Sequence, residues 1–439
     1  MKEANTREAV LSVVYQVFEE KKHSDTVLHQ VLSEFDEKIP DRSRIKREAY
    51  GGIEHQIELD YVINRFSELP VRKMKPWLRT ILRMAVYEIR YMDNISPATS
   101  CDEAVKLTGK KGYRELKGFV NGVLRSICRE GENVRLPDLS VTYSMPEWIV
   151  NLLSDSYGIK TTKKILASFF EERPVTIRVN TNKVSIDEMK KLLQNENIAF
   201  SAGVYLGNAL RLEGNIRVER LPGYREGYFV VQDESSMLPV LVSGIKSGFN
   251  VMDLCAAPGG KTMQAAELLQ GNGVVSSRDL TEYKVKKITE NKERTGYQTI
   301  REKVWDATIM DMEWKEKADV VIADVPCSGL GIIGRKPDIK YQISESSLDG
   351  LVKLQREILT QAVAYVKHGG VLIYSTCTLN PAENTEQARW LSKKGLELES
   401  LDEWLPEKLR NSQTRQGMLQ ILPGVQKSDG FFVAKFRKV

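Results

Sequence analysis

Histidine and cysteine are both scarce in this chain of 439 residues. Its four histidines leave little scope for imidazole chemistry. The five cysteines are scattered along the chain: Cys101, Cys128, Cys255, Cys327 and Cys377. Because their number is odd and no two have the C-x-x-C spacing, the sequence argues against a disulfide framework and against a zinc site. We therefore expect no bound metal.

Long apolar stretches are absent as well. No segment of the sequence approaches the roughly 20 apolar residues that cross a bilayer, and residues 1–8 lack the apolar core of a signal peptide. Free thiols persist in reducing compartments. We therefore expect a cytoplasmic protein with no membrane partner.

The net charge is small, at +5, but it is unevenly placed. Between Arg65 and Arg135 the sequence has 15 lysines and arginines against 8 aspartates and glutamates, a local excess of +7. Such an excess suits the phosphates of a nucleic acid. It is also typical of helices whose basic side chains are simply solvated. The composition alone leaves both interpretations open.

The length predicts about three domains, and the hydrophobic pattern divides the chain accordingly. Residues 1–135 have apolar residues at helical spacing, for example from Leu28 to Phe35, with prolines such as Pro40 between the segments. This pattern predicts a helical bundle. Residues 136–235 mix helix and strand patterns and predict a small α+β insert. Residues 236–439 alternate strand and helix, which predicts a Rossmann-like α/β domain with a mostly parallel sheet covered on both faces.

The strands and helices of this third part can be located from the same pattern. The predicted strands are 251–254, 273–277, 303–305, 320–323 and 371–374. The predicted helices are 261–269, 284–294 and 351–366. A last pair of strands, 419–422 and 431–436, could close one edge of the sheet.

The stretch from Val251 to Thr262, VMDLCAAPGGKT, joins a predicted buried strand to a predicted helix through a turn of small residues. Gly259 and Gly260 would let a ligand approach the backbone closely, and the helix N-terminus offers unpaired N–H groups. The spacing matches neither G-x-G-x-x-G nor G-x-x-x-x-G-K-[ST], so NAD and ATP are poor candidates. The alternative is an ordinary strand-to-helix turn.

An acidic residue follows each of three predicted strands: Asp279, Asp306 and Asp324. The carboxyl ends of parallel strands carry the ligand site of such a sheet. An acid after the second strand can accept hydrogen bonds from ribose hydroxyls, and one after the third from an exocyclic amine. Each signal alone is weak because aspartate is common in turns. Together with the glycine turn, they indicate an adenosine-containing ligand without a polyphosphate. S-adenosylmethionine fits, because its sulfonium favours a neighbouring carboxylate.

Two thiols are also expected at strand ends: Cys327 in DVPCSG and Cys377 in STCT. Intracellular cysteines are often small buried hydrophobes, but these two lie where the ligand is expected. A thiolate is suited to adding to C6 of a pyrimidine, which makes C5 nucleophilic. The C5 carbon would then take a methyl group and lose its proton, and the thiol would be expelled.

These segments resemble the RNA cytosine-5 methyltransferases. The resemblance rests on DLCAAPGGK from position 253, DVPCSG from 324, and STCT from 375 followed by Pro381 and Glu383-Asn384. The finer match is to the RsmB/Sun (Fmu) type, which has a NusB-like helical domain ahead of its catalytic part. LKGFVNGVLR from 116 resembles the closing helix of that domain, and QDESS from 232, RKPDIK from 335 and DGFF from 429 resemble further family segments. The resemblance covers nearly the whole chain.

The resemblance implies a class I S-adenosylmethionine-dependent methyltransferase domain, preceded by a NusB-like RNA-binding bundle and an RRM-like insert that also binds RNA. The methyl acceptor would be C5 of a cytosine in small-subunit (16S) ribosomal RNA, naked or in an early precursor particle. S-adenosyl-L-methionine would be the cofactor. The protein is expected to act as a monomer.

The resemblance also implies roles for single residues. Cys377 resembles the nucleophile, and Cys327 resembles the second thiol, which helps to release the product. Asp279, Asp306 and Asp324 would contact S-adenosylmethionine. The remaining contacts would come from the glycine turn: Cys255, Ala256, Ala257, Pro258, Gly259, Gly260 and Lys261. On physical grounds, Asp324 could also hold the cytosine edge, and Lys261 could favour the thiolate or take its proton.

One segment departs from the family pattern, because Ser276-Ser277-Arg278-Asp279 is polar where this strand is usually apolar. Two other functions stay open. The enzyme could methylate transfer RNA or protein, since fold does not determine substrate. Alternatively, the chain could be a non-catalytic RNA-binding protein of the antitermination type that keeps the sheet as a scaffold, although a scaffold requires neither the two thiols nor the ligand loop.

Overall fold

A computed structural model describes residues 2–34, 42–214 and 216–439. Phe35 and Pro40, which the sequence pattern places at the end of a helix and after it, lie outside these residues. The chain forms two compact units. The first consists of Met1–Phe170 and Ile333–Ser344, and the second of Glu171–Ile332 and Glu345–Val439.

Helices make up most of the first unit and cover the sheets of the second. Those of the first unit are α1 (Lys2–Phe18), α2 (Ser24–Glu34), α3 (Arg42–Glu54), α4 (Gln56–Phe66), α5 (Pro76–Tyr91), α6 (Pro97–Lys110), α7 (Lys117–Glu130), α8 (Leu139–Thr142), α9 (Glu147–Tyr157), α10 (Ile159–Ser168) and α15 (Ile339–Gln342). Those of the second are α11 (Ile186–Asn195), α12 (Glu234–Val242), α13 (Gly260–Leu269), α14 (Glu282–Thr295), α16 (Leu348–Tyr365), α17 (Thr385–Leu391) and α18 (Ser412–Arg415).

All the strands of the described residues lie in the second unit. They are β1 (Val175–Val179), β2 (Phe200–Ala202), β3 (Ala209–Leu212), β4 (Phe229–Val231), β5 (Asn250–Asp253), β6 (Val274–Asp279), β7 (Ile300–Val304), β8 (Ala318–Asp324), β9 (Val366–Thr376), β10 (Leu396–Leu398), β11 (Met418–Ile421) and β12 (Phe431–Lys438).

The helical unit includes a segment from much later in the chain, Ile333–Ser344, which we call the inserted segment. Asp338 lies at the N-terminus of α2, where its carboxylate accepts hydrogen bonds from the backbone N–H and the hydroxyl of Ser24. A carboxylate is favoured there because the first N–H groups of a helix have no partner within it. Tyr341 packs edge-on against Phe18, with ring centroids 5.4 Å apart. The inserted segment is therefore part of the bundle core.

Lys340 of the inserted segment is almost fully buried, with 2% of its surface exposed. Its ammonium nitrogen donates a hydrogen bond to the backbone oxygen of Glu54 over 2.7 Å. Because burial disfavours the charged form, the pKa of Lys340 falls from 10.5 to about 7. Burial also raises the pKa of the Glu54 carboxyl to about 7.

A four-stranded antiparallel sheet opens the second unit. Its order is β2-β3-β1-β4, and its apolar face packs with α11 residues such as Met189 and Leu193. The predicted α+β insert is therefore confirmed. Arg178 on β1 is buried and contacts Glu267 on α13 and Gln232, the latter over 2.9 Å, so that buried polar contacts hold this sheet to the rest of the unit.

The larger sheet has the order β10-β12-β9-β8-β5-β6-β7, with β11 paired to β12. The strands from β9 to β7 are parallel, whereas β12 is antiparallel to its neighbours β9, β10 and β11. Successive residues face different cores: Val251 packs with α13 and Met252 with α16. Helices thus cover both faces, and the Rossmann-like α/β prediction is confirmed.

Some details differ from the sequence-based expectation. The sequence pattern predicts a strand at 303–305, whereas β7 runs from Ile300 to Val304. Because β7 is an edge strand in which only Ile300 is buried, most of its residues are polar and lack the apolar pattern of a buried strand. β2 and β10, of three residues each, were not expected. Helices α8 to α10 lie in the first unit.

We expect Lys340→Met to alter how stability depends on pH. Between pH values of about 7 and 10.5 the unfolded chain carries a proton on this lysine that the folded protein lacks. The unfolding free energy of the native protein, relative to that of Lys340→Met, should therefore rise with pH across this window. The titration of Glu54, from 4.5 to about 7, lies below it.

Urea unfolding at several pH values within that window measures the difference. Lys336→Met, which changes an exposed lysine of the inserted segment, serves as the control and should show no such rise. A difference between the native protein and Lys340→Met that stays constant with pH would contradict the assignment.

Candidate active site

The turn after β5 is built on a buried polar contact. Asp253, at the end of β5, is fully buried and accepts a hydrogen bond of 2.7 Å from the hydroxyl of Thr262 on α13. The Thr262 hydroxyl lies 2.8 Å from that of Ser277 on β6. Burial raises the pKa of Asp253 to about 7. These contacts fix the start of α13 against two strands, and they give Ser277 a structural reason to be polar.

Gly259 precedes α13 with a φ of +105°, a backbone conformation that residues other than glycine rarely adopt. The backbone N–H of Gly259 bonds to the oxygen of Ala256 over 2.7 Å, and that of Ala256 bonds to Arg278 over 2.9 Å. The turn therefore lies directly on the end of β6. Cys255 belongs to the same turn, and burial, reinforced by the charge of Asp279, raises the pKa of its thiol.

Asp279 is the last residue of β6, rather than the first after it. One carboxylate oxygen accepts from the backbone N–H of Ala257 over 3.0 Å. The other accepts from the N–H of Leu280 over 2.8 Å and pairs with the ammonium of Lys284 over 3.1 Å. The oxygen bonded to Ala257 keeps a lone pair for one further hydrogen bond.

Asp306 follows β7, and one of its oxygens accepts hydrogen bonds from the hydroxyl and N–H of Thr308. These bonds lower the pKa of Asp306. Asp324 ends β8 and is held on both oxygens, by the ammonium of Lys261 over 2.6 Å and by the hydroxyl of Ser375 over 2.7 Å. Lys261 also donates to the hydroxyl of Ser236 over 3.0 Å. Three acids thus lie at the carboxyl ends of parallel strands.

The two thiols expected at strand ends lie next to each other. Cys327 follows β8 and Cys377 follows β9, and their sulfur atoms are 3.4 Å apart. Their hydrogen bond and then burial raise the pKa of Cys327 well above its usual value. All five cysteines are free thiols. The two thiols lie close together because β8 and β9 are adjacent parallel strands, in which Asp324 pairs with Ser375.

A buried carboxylate for which the sequence predicted no role holds these two loops. Glu383 is fully buried and accepts hydrogen bonds from Ser328, Gln355 and Asn380. The sequence signal for it was its place in the family segment six residues after Cys377, but nothing in the local sequence indicated what it would contact.

The backbone is also packed closely beside the thiols. The N–H of Gly331 bonds to the oxygen of Cys377 over 2.9 Å, and the N–H of Gly430 bonds to the oxygen of Gly331 over 2.8 Å. A Cβ added at Gly331 would lie 2.3 Å from the oxygen of Gly430 and 2.8 Å from that of Cys377. Only glycine therefore fits at position 331.

The polar strand that departs from the family pattern has a structural explanation. Arg278 is buried, and its guanidinium donates to Ser276 over 3.0 Å and to Asp311 over 2.8 Å. It also lies 5.3 Å from the ring centroid of Trp305 and 5.8 Å from that of Trp314. A buried ion pair between aromatic rings thus replaces an apolar side chain here.

The described residues contain neither a metal-binding cluster nor a membrane-spanning helix. No three histidine, cysteine or acidic side chains among residues 2–34, 42–214 and 216–439 are arranged to hold a metal ion. Over the same residues, no helix is long and apolar enough to cross a membrane.

Comparison with known protein families gives the class of the protein. The model of the 16S rRNA methyltransferase RsmB/F family matches residues 244–437. The NusB family model matches residues 4–129, and that of an RsmF/B-like ferredoxin-like domain matches residues 145–219. The sheet order, the glycine turn and these matches define an S-adenosylmethionine-dependent methyltransferase with a NusB-like domain and a ferredoxin-like domain.

Curated relatives identify the family. The probable ribosomal RNA small subunit methyltransferase B of Bacillus subtilis is 35% identical over 449 residues and covers 100% of both chains. The Vibrio vulnificus ribosomal RNA small subunit methyltransferase B is 29% identical over 98% of both. The chain therefore belongs to the ribosomal RNA small subunit methyltransferase B family.

Solved structures share the fold. The crystal structure of PH0851 covers 99% of both chains with a TM-score of 0.84 at 24% identity. That of NSun6 from Pyrococcus horikoshii with SFG covers 67% of this chain and 98% of its own, with a TM-score of 0.61 at 22% identity. S-adenosylmethionine is the cofactor of this class, and the residues here fit it: carboxylates at three strand ends suit a cationic, ribose-containing ligand, and the backbone of the glycine turn lies beside one of them, because the N–H of Ala257 donates to Asp279.

We expect Gly331→Ala to destabilise the second unit, because both neighbours of the added methyl group are backbone oxygens that cannot turn aside. Overpacking of this kind costs about 1–3 kcal/mol, and it would also separate the thiol loops and lower methyl transfer. Urea unfolding and a methylation assay measure the two effects.

The matched control is Gly350→Ala on α16, where an added Cβ meets nothing within 4 Å. Alanine should be neutral or stabilising there by up to about 1 kcal/mol, because it favours helix. Equal behaviour of the two variants would show that the close contacts at Gly331 are unimportant.

Proposed function

We propose that this protein transfers a methyl group from S-adenosylmethionine to C5 of a cytosine in 16S ribosomal RNA. By family resemblance, this would be the cytosine at position 967 of that RNA. The observation that carries the proposal is the pair of thiols, 3.4 Å apart, at the ends of adjacent parallel strands in a methyltransferase sheet. Methylation of an amine or a hydroxyl requires no thiol, whereas C5 of a pyrimidine is a poor nucleophile until a group adds to C6.

Cys377 would be the nucleophile. Its sulfur forms a bond to C6 of the base as the C5–C6 double bond opens, and the electron pair moves to C5. S-adenosylmethionine, when bound, supplies the electrophilic methyl group that C5 takes. Loss of the C5 proton then restores the double bond and expels the Cys377 sulfur.

Cys327 would act in that last stage. The raised pKa of its thiol keeps a proton beside the Cys377 sulfur at neutral pH. A proton held there can be given to the departing thiolate, which assists release of the methylated base. The proposal therefore assigns Cys327 to product release.

Asp324 and Lys261 would contact both the cytosine and S-adenosylmethionine. Asp324 lies just before the Cys327 loop and is oriented by Lys261 and Ser375, which suits it to accept from the amino group of the cytosine. The ammonium of Lys261 also favours negative charge nearby. Residues 255–261 with Asp279 and Asp306 would complete the S-adenosylmethionine contacts, consistent with their place at the carboxyl ends of β5, β6 and β7.

Ribosomal RNA as substrate is supported by the relatives, whose names specify the small subunit, and by the basic stretch 65–135. Part of that stretch is internal: Arg79, Arg83 and Arg90 are paired with acidic side chains. The exposed cations are the ones available to phosphates. Arg114 and Lys117 are among them, as is Lys110, which is exposed although its ammonium also pairs with Glu8 over 2.7 Å. We propose the predicted boundaries, 1–135, 136–235 and 236–439, as RNA-binding, RNA-binding and catalytic parts of a monomer.

Replacing each thiol separately tests the chemistry. We expect Cys377→Ala to abolish methylation while leaving S-adenosylmethionine binding nearly unchanged, because only the bond to C6 is lost. We expect Cys327→Ala to accumulate a protein–RNA adduct that survives denaturing gels, because release is impaired. Methylation of 16S RNA with a radiolabelled donor and gel mobility measure both.

Cys128→Ala, which removes an exposed thiol of the helical unit, is the control and should do neither. Turnover at the native rate by Cys377→Ala would refute the assigned nucleophile, and a Cys327→Ala protein without adduct would remove the release role.

Salt dependence tests the RNA contacts of the helical unit. We expect neutralising Lys110, Arg114 and Lys117 to glutamine to weaken RNA binding and to reduce the log–log salt slope by about 2, since each contact to single-stranded RNA contributes about 0.7. The control neutralises three exposed lysines of the catalytic part, namely Lys393, Lys394 and Lys408. Equal loss in both triple variants would mean that charge alone, and not this surface, attracts the RNA.

A further inference from the structure

The carboxylate of Glu383 joins both thiol-bearing loops. It lies in a short turn after Cys377 and is 0% exposed. Four hydrogen bonds reach it: from the backbone N–H of Ser328 over 2.9 Å, from the Ser328 hydroxyl, from the Gln355 amide over 2.9 Å and from the Asn380 amide over 3.0 Å. All four donors are neutral groups, so hydrogen bonds and not a cation in contact hold this carboxylate.

These bonds determine where the residues beside each sulfur lie. Ser328 directly follows Cys327, and its hydroxyl is 2.6 Å from that of Thr378, which directly follows Cys377. Gln355 also donates to the oxygen of Pro326 over 3.0 Å, on the other side of Cys327. Glu383 therefore fixes the chain on both sides of one thiol and just after the other.

The negative charge also distinguishes the two thiols. A carboxylate near a thiol in a poorly solvated place disfavours the thiolate, and the charge of Glu383 contributes, after the Cys377 contact and burial, to the raised pKa of Cys327. The other ionisable groups that face this place are Tyr374, whose hydroxyl donates to the backbone oxygen of Glu383, and Asp324, whose partner is Lys261.

We infer that Glu383 is a positioning residue that holds the two thiol loops together and makes Cys327 the donor, and Cys377 the acceptor, of the sulfur–sulfur hydrogen bond. This inference deepens the proposed function and rests on it. A thiol that donates to its neighbour stabilises that neighbour as a thiolate, just as other hydrogen bonds to a charged form do. The single acidic side chain of Glu383 would thus give the two thiols different roles, Cys377 as the nucleophile and Cys327 as the thiol that assists release.

The pH dependence of alkylation tests this inference without RNA. Iodoacetamide reacts with thiolates, and peptide mass spectrometry distinguishes modification at 327 from that at 377. In the native protein we expect Cys377 to react much faster than Cys327 at neutral pH. In Glu383→Gln, which keeps the size but loses the charge, we expect Cys327 to react roughly tenfold faster at a fixed pH, so that the difference in rate between the two thiols becomes smaller.

Glu383→Asp distinguishes the effect of the side chain's charge from that of its length. It keeps the charge but is one methylene shorter, so it cannot contact all four donors. We expect Cys327 to remain slow in this variant, as in the native protein, whereas adduct formation with 16S RNA falls about tenfold or more, as misplacement of reacting groups does. Glu386→Gln removes an exposed acid three residues away and should match the native protein in both assays.

The inference fails if Glu383→Gln retains both native pH profiles, or if Cys327 becomes equally reactive in Glu383→Gln and Glu383→Asp, because packing rather than charge would then protect it. If Glu383→Gln does not fold, the Cys327 rate in Glu383→Asp decides alone: a slow rate supports the inference and a fast one overturns it. Turnover by Cys377→Ala would refute the proposed function itself, whatever alkylation shows.

Discussion

The parallel pairing of β8 with β9 is the constraint on which the site depends. Asp324 and Ser375 are partners in its register, so the two strands end side by side and the loops that follow them start together. Neither loop could bring its thiol to the other by local sequence alone, because 50 residues separate Cys327 from Cys377. Hydrogen bonds across the sheet therefore do what a local motif cannot.

Buried polar groups support that arrangement throughout the second unit. Asp253 joins α13 to β5, Arg178 joins the smaller sheet to α13, and Arg278 is enclosed by tryptophans. Each such group costs free energy to bury unless it is fully bonded. In return, each restricts neighbouring elements to one relative position more strictly than apolar contacts do, since hydrogen bonds depend on direction.

The sequence predicted those features that depend only on residues close together in the chain. The glycine turn, the strands β5, β6, β8 and β9, and the ends that carry Asp279, Asp306 and Asp324 follow from short patterns, because the apolar period and turn residues lie within a few positions of each other. The contact of Glu383 with Ser328 could not be predicted in the same way. Its partners come from three separate segments, and only the folded sheet brings them together. The roles assigned to the site residues remain predictions.

The inserted segment has a consequence for how the molecule is made. The first unit lacks the carboxylate at the start of α2 and the tyrosine against Phe18 until residues 338 and 341 have left the ribosome. Domains of a growing chain generally fold as they emerge, from the N-terminus onward. Here the N-terminal bundle can be completed only after most of the polypeptide, including the strands β1 to β8, has been synthesised. Its final packing is therefore a late event of biosynthesis, although its helices are the first to appear.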